Sequence, residues 1–498
     1  MGEEVKRTTY DRTHHREYRR KVRLCLDVFE TMLAQSTFDS GRPLTGMEIE
    51  CNLVDADYQP AMSNRLVLDA IADPAYQTEL GAYNIEFNVP PRPLAGHTGL
   101  DLEAEVRASL NEAEAKANCG ASPGGAHIVM IGILPTLMPD HLNDGWMSES
   151  MRYAALNDSI FSARGEDIPI NIDGPEPLSW HAASIAPESA CTSTQLHLQV
   201  APADFAANWN AAQVLAGAQL ALGANSPFFF GHELWSETRI EVFAQSTDTR
   251  TEELKTQGVR PRVWFGDRWI TSILDLFTEN IRYFPSLLPE LSDEDPVAEL
   301  AAGRIPHLSE MRLHNGTVYR WNRPVYDVSD VDGVGRPHLR LENRVLPAGP
   351  TVIDMLANSA FYYGMLRSLS EAENPLWTRM SFAAAQANFL EGARNGIRAR
   401  LLWPGLGEVT AQDLVLNTLL PIADEGLRQW GVDVEVRDRF LGVIEGRAKT
   451  GRNGARWQVS TVRALQGAGM TRPAALAEML RRYCEHMHAN EPVHTWGL

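Results

Sequence analysis

Four short runs of this chain alternate between apolar residues and residues able to bind metal or phosphate. In Gly46-Met47-Glu48-Ile49-Glu50-Cys51, strand geometry puts Glu48 and Glu50 on one face and Met47, Ile49 and Cys51 on the other. Residues 84–88 repeat the pattern, with Glu86 and Asn88 opposite Ile85 and Phe87. Residues 195–200 set Gln195, His197 and Gln199 against Leu196, Leu198 and Val200. Residues 340–345 gather Arg340, Glu342 and Arg344 on one side. A fifth strand-like stretch, 312–326, would carry Trp321 and Arg323 on one face and Arg320 and Asn322 on the other.

Elsewhere the apolar period is helical. Val22, Leu26, Phe29 and Leu33 predict a helix within 12–35, with a basic run at 16–23 read as its solvated face. Leu102, Val106, Leu110 and Ala113 predict another over 100–117, with Gly120 at its C-terminal cap. Further helices are expected over 203–222 and 268–283, and after Thr351 as N-cap, carrying Ile353, Leu356, Ala360 and Tyr363. Turns are expected at 39–43 and at Gly124-Gly125, the latter before a buried strand over 128–133. Beyond Glu371 strands largely cease, and 379–402, 411–430, 436–447 and 471–487 read as helices. The class is therefore α+β, with an N-terminal amphipathic helix (1–37), a strand-bearing domain (38–371) and a helical C-terminal region (372–498) packed on the core.

At 498 residues and 44% hydrophobic content the chain can bury a large core. A formal net charge of −19 sets most of the surface against nucleic-acid phosphates and anionic membranes, so neither is an expected partner. The five cysteines are widely spaced, odd in number and without a C-x-x-C pair, which reads as reduced thiols and a cytoplasmic location. No signal-peptide pattern opens the sequence, and no apolar run approaches the ~20 residues of a spanning helix. Within this acidic chain, Arg239, Arg320, Arg323, Arg340 and Arg344 fall in or beside the alternating runs, which predicts a locally basic site. For Arg239 alone, a surface pair with Glu237 or Glu241 is the plainer reading.

One Glu-x-Glu strand is, by itself, more often the wet face of an antiparallel sheet. Solvated faces usually carry Lys, Thr and Ser, however, whereas these four carry Glu, His, Gln, Asn and Arg. Carboxylates crowded on one face repel, and divalent cations between them remove that cost.

The runs GMEIE (46–50), YNIEFN (83–88), GGAHIVMIG (124–132), STQLHLQV (193–200), GANSPFFFG (223–231) with Arg239, HNGTVYRWNRP (314–324) and RLENRVLPAGPT (340–351) occur in an order and spacing that resembles the type 2 glutamate-cysteine ligases. These are carboxylate-amine ligases related to the glutamine synthetase catalytic domain, and the likeness runs from about Thr45 to about Leu369. The resemblance implies a curved antiparallel sheet forming a funnel-shaped active site, with helices on its outer face. It implies ATP and Mg²⁺ as cofactors, with Mn²⁺ as an alternative, and Glu48, Glu50, Glu86, Glu342 and His197 as metal ligands. Arg239, Arg340 and Arg344 would act on the transferring phosphoryl group, and Asn88, Gln195, Gln199, Arg320 and Arg323 would contact substrate or ATP. L-glutamate and L-cysteine would be joined through a glutamyl phosphate. Another amine, ammonia, or a non-catalytic nucleotide-binding role are the alternatives, and homo-oligomerisation is left open. The family commonly has His-x-His where this chain has Gln195-x-His197.

Overall fold

The computed structural model describes residues 5–35, 38–39, 43–120, 125–331 and 334–498. The interior of the expected turn at 39–43 and Gly124 of the Gly-Gly turn lie outside the described residues.

The alternating runs become neighbouring strands. Strands β1 (Leu44–Val54), β2 (Tyr76–Thr78), β3 (Asn84–Pro93), β4 (His127–Val129), β5 (Thr194–Gln199), β6 (Asn322–Val331) and β7 (Val334–Asn343) form a seven-stranded sheet in the order β6-β7-β5-β1-β3-β2. Every pairing in it is antiparallel, and β4 joins β1 beyond the stretch that β5 occupies. The sheet curls into a half-barrel. Its register aligns the polar faces: Glu48 lies opposite Asn88 on one side and Gln195 on the other, Glu50 opposite Glu86, and Glu342 opposite His197 and Arg323. A slip of one residue would send Glu48 and Glu50 into the apolar side, so burial of that side fixes the register.

On the outer face Met47, Ile49, Cys51, Ile85, Phe87, Leu196, Leu198 and Leu341 are buried, each large aliphatic contributing roughly 1.5–3 kcal/mol by leaving water. Helices Phe205–Gly223 and Val352–Ser370 cover them and are themselves buried nearly all round. Thr351 caps the second helix, its Oγ1 accepting from the Asp354 N–H at 3.1 Å. Tyr363 on that helix donates to the His197 carbonyl at 2.9 Å, tying helix to strand directly behind the cleft.

The N-terminal helix spans Arg12–Gln35, burying Tyr18, Val22, Cys25, Phe29 and Met32, with Arg16, Arg19, Arg20 and Arg23 exposed. Past residue 371, helices Phe382–Asn395, Leu420–Gln429, Val434–Thr450, Gly454–Gly467 and Arg472–Ala489 dominate, with one hairpin of Arg400–Trp403 and Gly407–Thr410. The helix Gly454–Gly467 is hidden in sequence behind the glycine-rich break that precedes it. All five cysteines are free thiols. Among the described residues no helix is long and apolar enough to cross a membrane.

Three expectations need correction. The helix expected over 379–402 ends at Asn395, and Arg400–Trp403 is a strand of the hairpin. Residues Ser309–Asn315 form a helix, and β6 begins only at Asn322, so the strand expected from 312 starts ten residues late. The stretch expected as a strand over 128–133 pairs only through His127–Val129.

Candidate active site

The concave face of the half-barrel opens into a cleft of about 370 Å³ lined by Glu48, Glu50, Glu86, Gln195, His197, Arg239, Arg323, Arg340, Glu342 and Arg344. All ten are residues that strand alternation or motif position singles out. Glu79, Arg152, Tyr153, Glu188 and Tyr319 join them from outside the four runs.

The acidic groups form two sets. In the first, Glu48, His197 and Glu342 bring one ligand atom each within 4.8 Å of the others. His197 Nε2 lies 3.1 Å from Glu48 Oε1 and 3.8 Å from Glu342 Oε1, yet neither ring nitrogen has a hydrogen-bond partner among the described residues. Burial alone would raise the Glu48 carboxyl, but His197 beside it holds it down to about 2. Glu342 is likewise opposed by burial, and Arg323, Arg344 and His197 together hold it well below the usual carboxylate range. Arg323 grips Glu342 through two bonds, Nε to Oε2 and Nη2 to Oε1, the latter at 2.8 Å.

In the second set Glu50, Glu79 and Glu86 meet within 4.8 Å. Here the imbalance runs the other way. Burial and the charges of Glu48 and Glu50 push Glu86 up to about 7, and burial with Glu86 and Glu50 pushes Glu79 well above its ordinary value. Glu50 is raised by burial despite Arg344 and the Ser193 N–H, which donates to Oε2 at 2.6 Å. Three carboxylates that resist ionising together, beside a buried imidazole set between Glu48 and Glu342, are a donor set suited to divalent cations that prefer oxygen. The residues present therefore fit Mg²⁺ or Mn²⁺.

The arginines divide by what they touch. Arg344 donates to the Gln195 Oε1 and lies 3.6 Å from Glu342 Oε1. Gln195 in turn donates Nε2 to Glu50 Oε1 at 2.7 Å, so one amide links an acid of the second set to Arg344. Linking them takes one donor and one acceptor, which a glutamine offers without adding charge. Arg340 reaches Asp327 at 3.4 Å and keeps a buried Nε without a hydrogen-bond partner among the described residues. Arg239 is buried: Nε pairs with Glu237 at 3.0 Å, while Nη1 and Nη2 donate to the carbonyls of Arg344 and Val345. Its partner is thus Glu237, as its neighbours in sequence suggest, but in the interior. Glu237 is steadied by the Asn225 N–H at 2.8 Å, and Asn225 also bonds the Ala348 carbonyl and Tyr483, which accounts for the GANSPFFFG run as scaffold.

Three expected contact residues stand off the cleft. Arg320 faces away from it, fully buried against Glu279 at 3.0 Å and Asn280, with its guanidinium 4.6 Å above the Trp264 ring. The reason is the short parallel bridge of Tyr319–Arg320 with Val263–Trp264, which turns the chain before β6 starts. Asn88 is on the polar face but spends its amide on Glu86 Oε1 at 2.8 Å. Gln199, at the end of β5, donates to the Asp39 carbonyl at 2.9 Å.

Glu188 is an addition that no alternation announces. It sits in the 3₁₀ turn Ala186–Ala190, its Oε2 is buried without a hydrogen-bond partner among the described residues, and burial followed by the Glu50 charge pushes it up to about 8.

A family model described as glutamate-cysteine ligase family 2 (GCS2) matches residues 44–486. No curated protein matches the sequence. Among solved structures the fold is similar to that of a glutamate-cysteine ligase from Francisella tularensis in complex with AMP, with a TM-score of 0.52, 11% identity and 91% of each chain covered. A bifunctional glutathione synthetase from Pasteurella multocida aligns with a TM-score of 0.49 and 12% identity over 93% of this chain and 55% of that one. The ligase PafA, in complex with the ubiquitin-like protein Pup, aligns with a TM-score of 0.37 and 11% identity over 88% of this chain and 71% of that one.

Proposed function

The chain belongs to glutamate-cysteine ligase family 2 and is an ATP-dependent carboxylate-amine ligase, and we propose that it joins L-glutamate to L-cysteine through a glutamyl phosphate. The observation that carries this reading is the pair of carboxylate sets facing one arginine-lined cleft.

A carboxylate does not acylate an amine in neutral water, because its oxygen is a poor leaving group. Transfer of the γ-phosphoryl group of ATP to the acid supplies a good one. Glu48, His197 and Glu342, and Glu50, Glu79 and Glu86, would hold divalent cations, which would supply positive charge to offset that of the phosphates. Arg344, fixed by Gln195 and Glu342, and Arg340, with its free Nε, present positive charge to the phosphoryl group in transfer. Arg239 acts one step back, holding the carbonyls of residues 344 and 345 and so setting the direction of the Arg344 side chain. An amine attacks only as the free base, and the unpartnered Glu188 Oε2 is the group that takes up its proton.

The test is a panel of amines offered to the purified protein with ATP, Mg²⁺ and L-glutamate. Cysteine-dependent ADP release with γ-glutamylcysteine as product is the expected result. Turnover with ammonia or another amine, but not with cysteine, would replace the amine half of the proposal. No nucleotide turnover with any amine would leave a nucleotide-binding protein.

A further inference from the structure

Behind the segment that carries Glu237 and Arg239, residues Trp235 and Ser236 line a second cavity, of about 270 Å³. Its walls come from the end of helix Phe382–Asn395 with the turn Gly396–Arg398, from the start of helix Gly454–Gly467, and from residues 173–175. Backbone contacts hold its floor: the Ser236 and Glu237 N–H groups donate to the carbonyls of Arg394 and Ala393. Gly396, at a φ of +53°, lies so close to Ser236 that a Cβ would fall 2.8 Å from the Ser236 Cβ.

Four arginines line this cavity in a chain of net charge −19. Two are matched by acids. Arg394 pairs with Asp173 at 3.1 Å while stacking 4.6 Å over Trp235, and Arg463 pairs with Glu233 at 2.7 Å. Arg398 and Arg456 are not, since neither guanidinium has a hydrogen-bond or ion-pair partner among the described residues. Arg456 sits in the first turn of its helix, whose N-terminus adds positive potential, although the Ala455 and Arg456 N–H groups are taken by the Ala224 carbonyl and the Asn453 side chain. Its pKa is lowered, first by burial and then by Arg398 and Arg463, with Glu233 opposing. Arg398 is exposed and Arg456 half-buried, so solvent screens part of the repulsion that Asp173 and Glu233 leave, and an anion between the two would remove the rest.

We propose that this cavity is a second binding site, separate from the cleft, for a small dianion, either a phosphate group or a dicarboxylate, held by Arg398 and Arg456. Two unpaired guanidiniums match two negative charges, and their planar forks suit the oxygens of both groups.

The experiment is calorimetric titration of the full-length protein with inorganic phosphate and, separately, with succinate. The cleft accounts for one class of phosphate site, and the proposal requires a second class with at least one of the two anions. In the double variant Arg398→Gln/Arg456→Gln that class should weaken tenfold or more, while ATP-dependent turnover stays at the wild-type rate. Arg398→Lys/Arg456→Lys, which keeps both charges but loses the planar forks, should bind more weakly than wild type yet more tightly than the Gln variant, which excludes misfolding as the cause. Which anion loses its site names the ligand class. A wild-type protein without the second class, or a Gln variant that binds both anions unchanged, overturns the proposal and leaves the ligase reading untouched.

Discussion

Glu50, Glu79 and Glu86 show how much of the site is decided residue by residue. An acid whose carboxyl is raised in the fold, as Glu86 is from 4.5 to about 7, keeps a proton that the unfolded chain has released. Its contribution to stability therefore falls as pH climbs across that window. A divalent cation takes the ionised form, so the stabilisation conferred by Mg²⁺ should be small near pH 4.5 and grow toward pH 7. Melting temperatures with and without Mg²⁺ across the window check this, and a Mg²⁺ effect independent of pH would contradict it. Glu188, pushed up to about 8, predicts a second pH effect. The rate should rise with pH through about 8, and Glu188→Gln should lower kcat about 10²- to 10⁴-fold and remove that limb of the profile relative to wild type. Neither Glu79 nor Glu188 was legible in the sequence. Glu79 follows the three-residue β2 and Glu188 lies in a 3₁₀ turn, so no period of two points at either. Glu48, Glu50, Glu86, His197 and Glu342 were legible, because each sits within a strand long enough for alternation to declare its face.

Among elements, alternation fixes which face a residue takes but not how far along the strand it lies. Asn88 and Gln199 have the expected face and still miss the cleft, being spent on Glu86 and on the Asp39 carbonyl. Arg320 fails for a different reason, since a parallel bridge no short-range pattern signals turns it toward Glu279. The connection 234–239 matters more than its length suggests. It runs past the second cavity, supplies buried Glu237, and ends in Arg239 at the start of helix Arg239–Ser246. Arg239→Ala would leave a fully buried carboxylate without its cation, a loss of about 3–5 kcal/mol, and would free the Arg344 backbone. Chemical denaturation should show that loss, with turnover falling alongside it. A variant as stable and as active as wild type would remove Arg239 from its positioning role.

Across the whole molecule, polar ties, most of them buried, join the helical C-terminal region to the sheet domain. Arg447 on helix Val434–Thr450 pairs with Asp354 at 2.7 Å, both side chains fully buried, and also bonds Asn358. Glu103 receives Arg439 and Asn490, and Tyr483 donates to the Met130 carbonyl beside β4. A chain ending at residue 371 would expose the covered helices and strand Asp354 in the interior, so it should be insoluble or unfolded, as circular dichroism would report. A folded, soluble fragment would mean the two regions are independent. These ties are long-range pairings, which is why sequence periodicity yields the helices but not what binds them. The cleft interleaves carboxylates with arginines rather than being basic as the sequence suggests; the central claim is that it passes the γ-phosphoryl group of ATP to a carboxylate, and the nucleotide product tests it most directly. With glutamate, a competent amine and Mg²⁺, phosphorus NMR should show ADP and inorganic phosphate rising in step with the amide, and chelating the metal should stop all three. AMP and pyrophosphate as products would contradict the account.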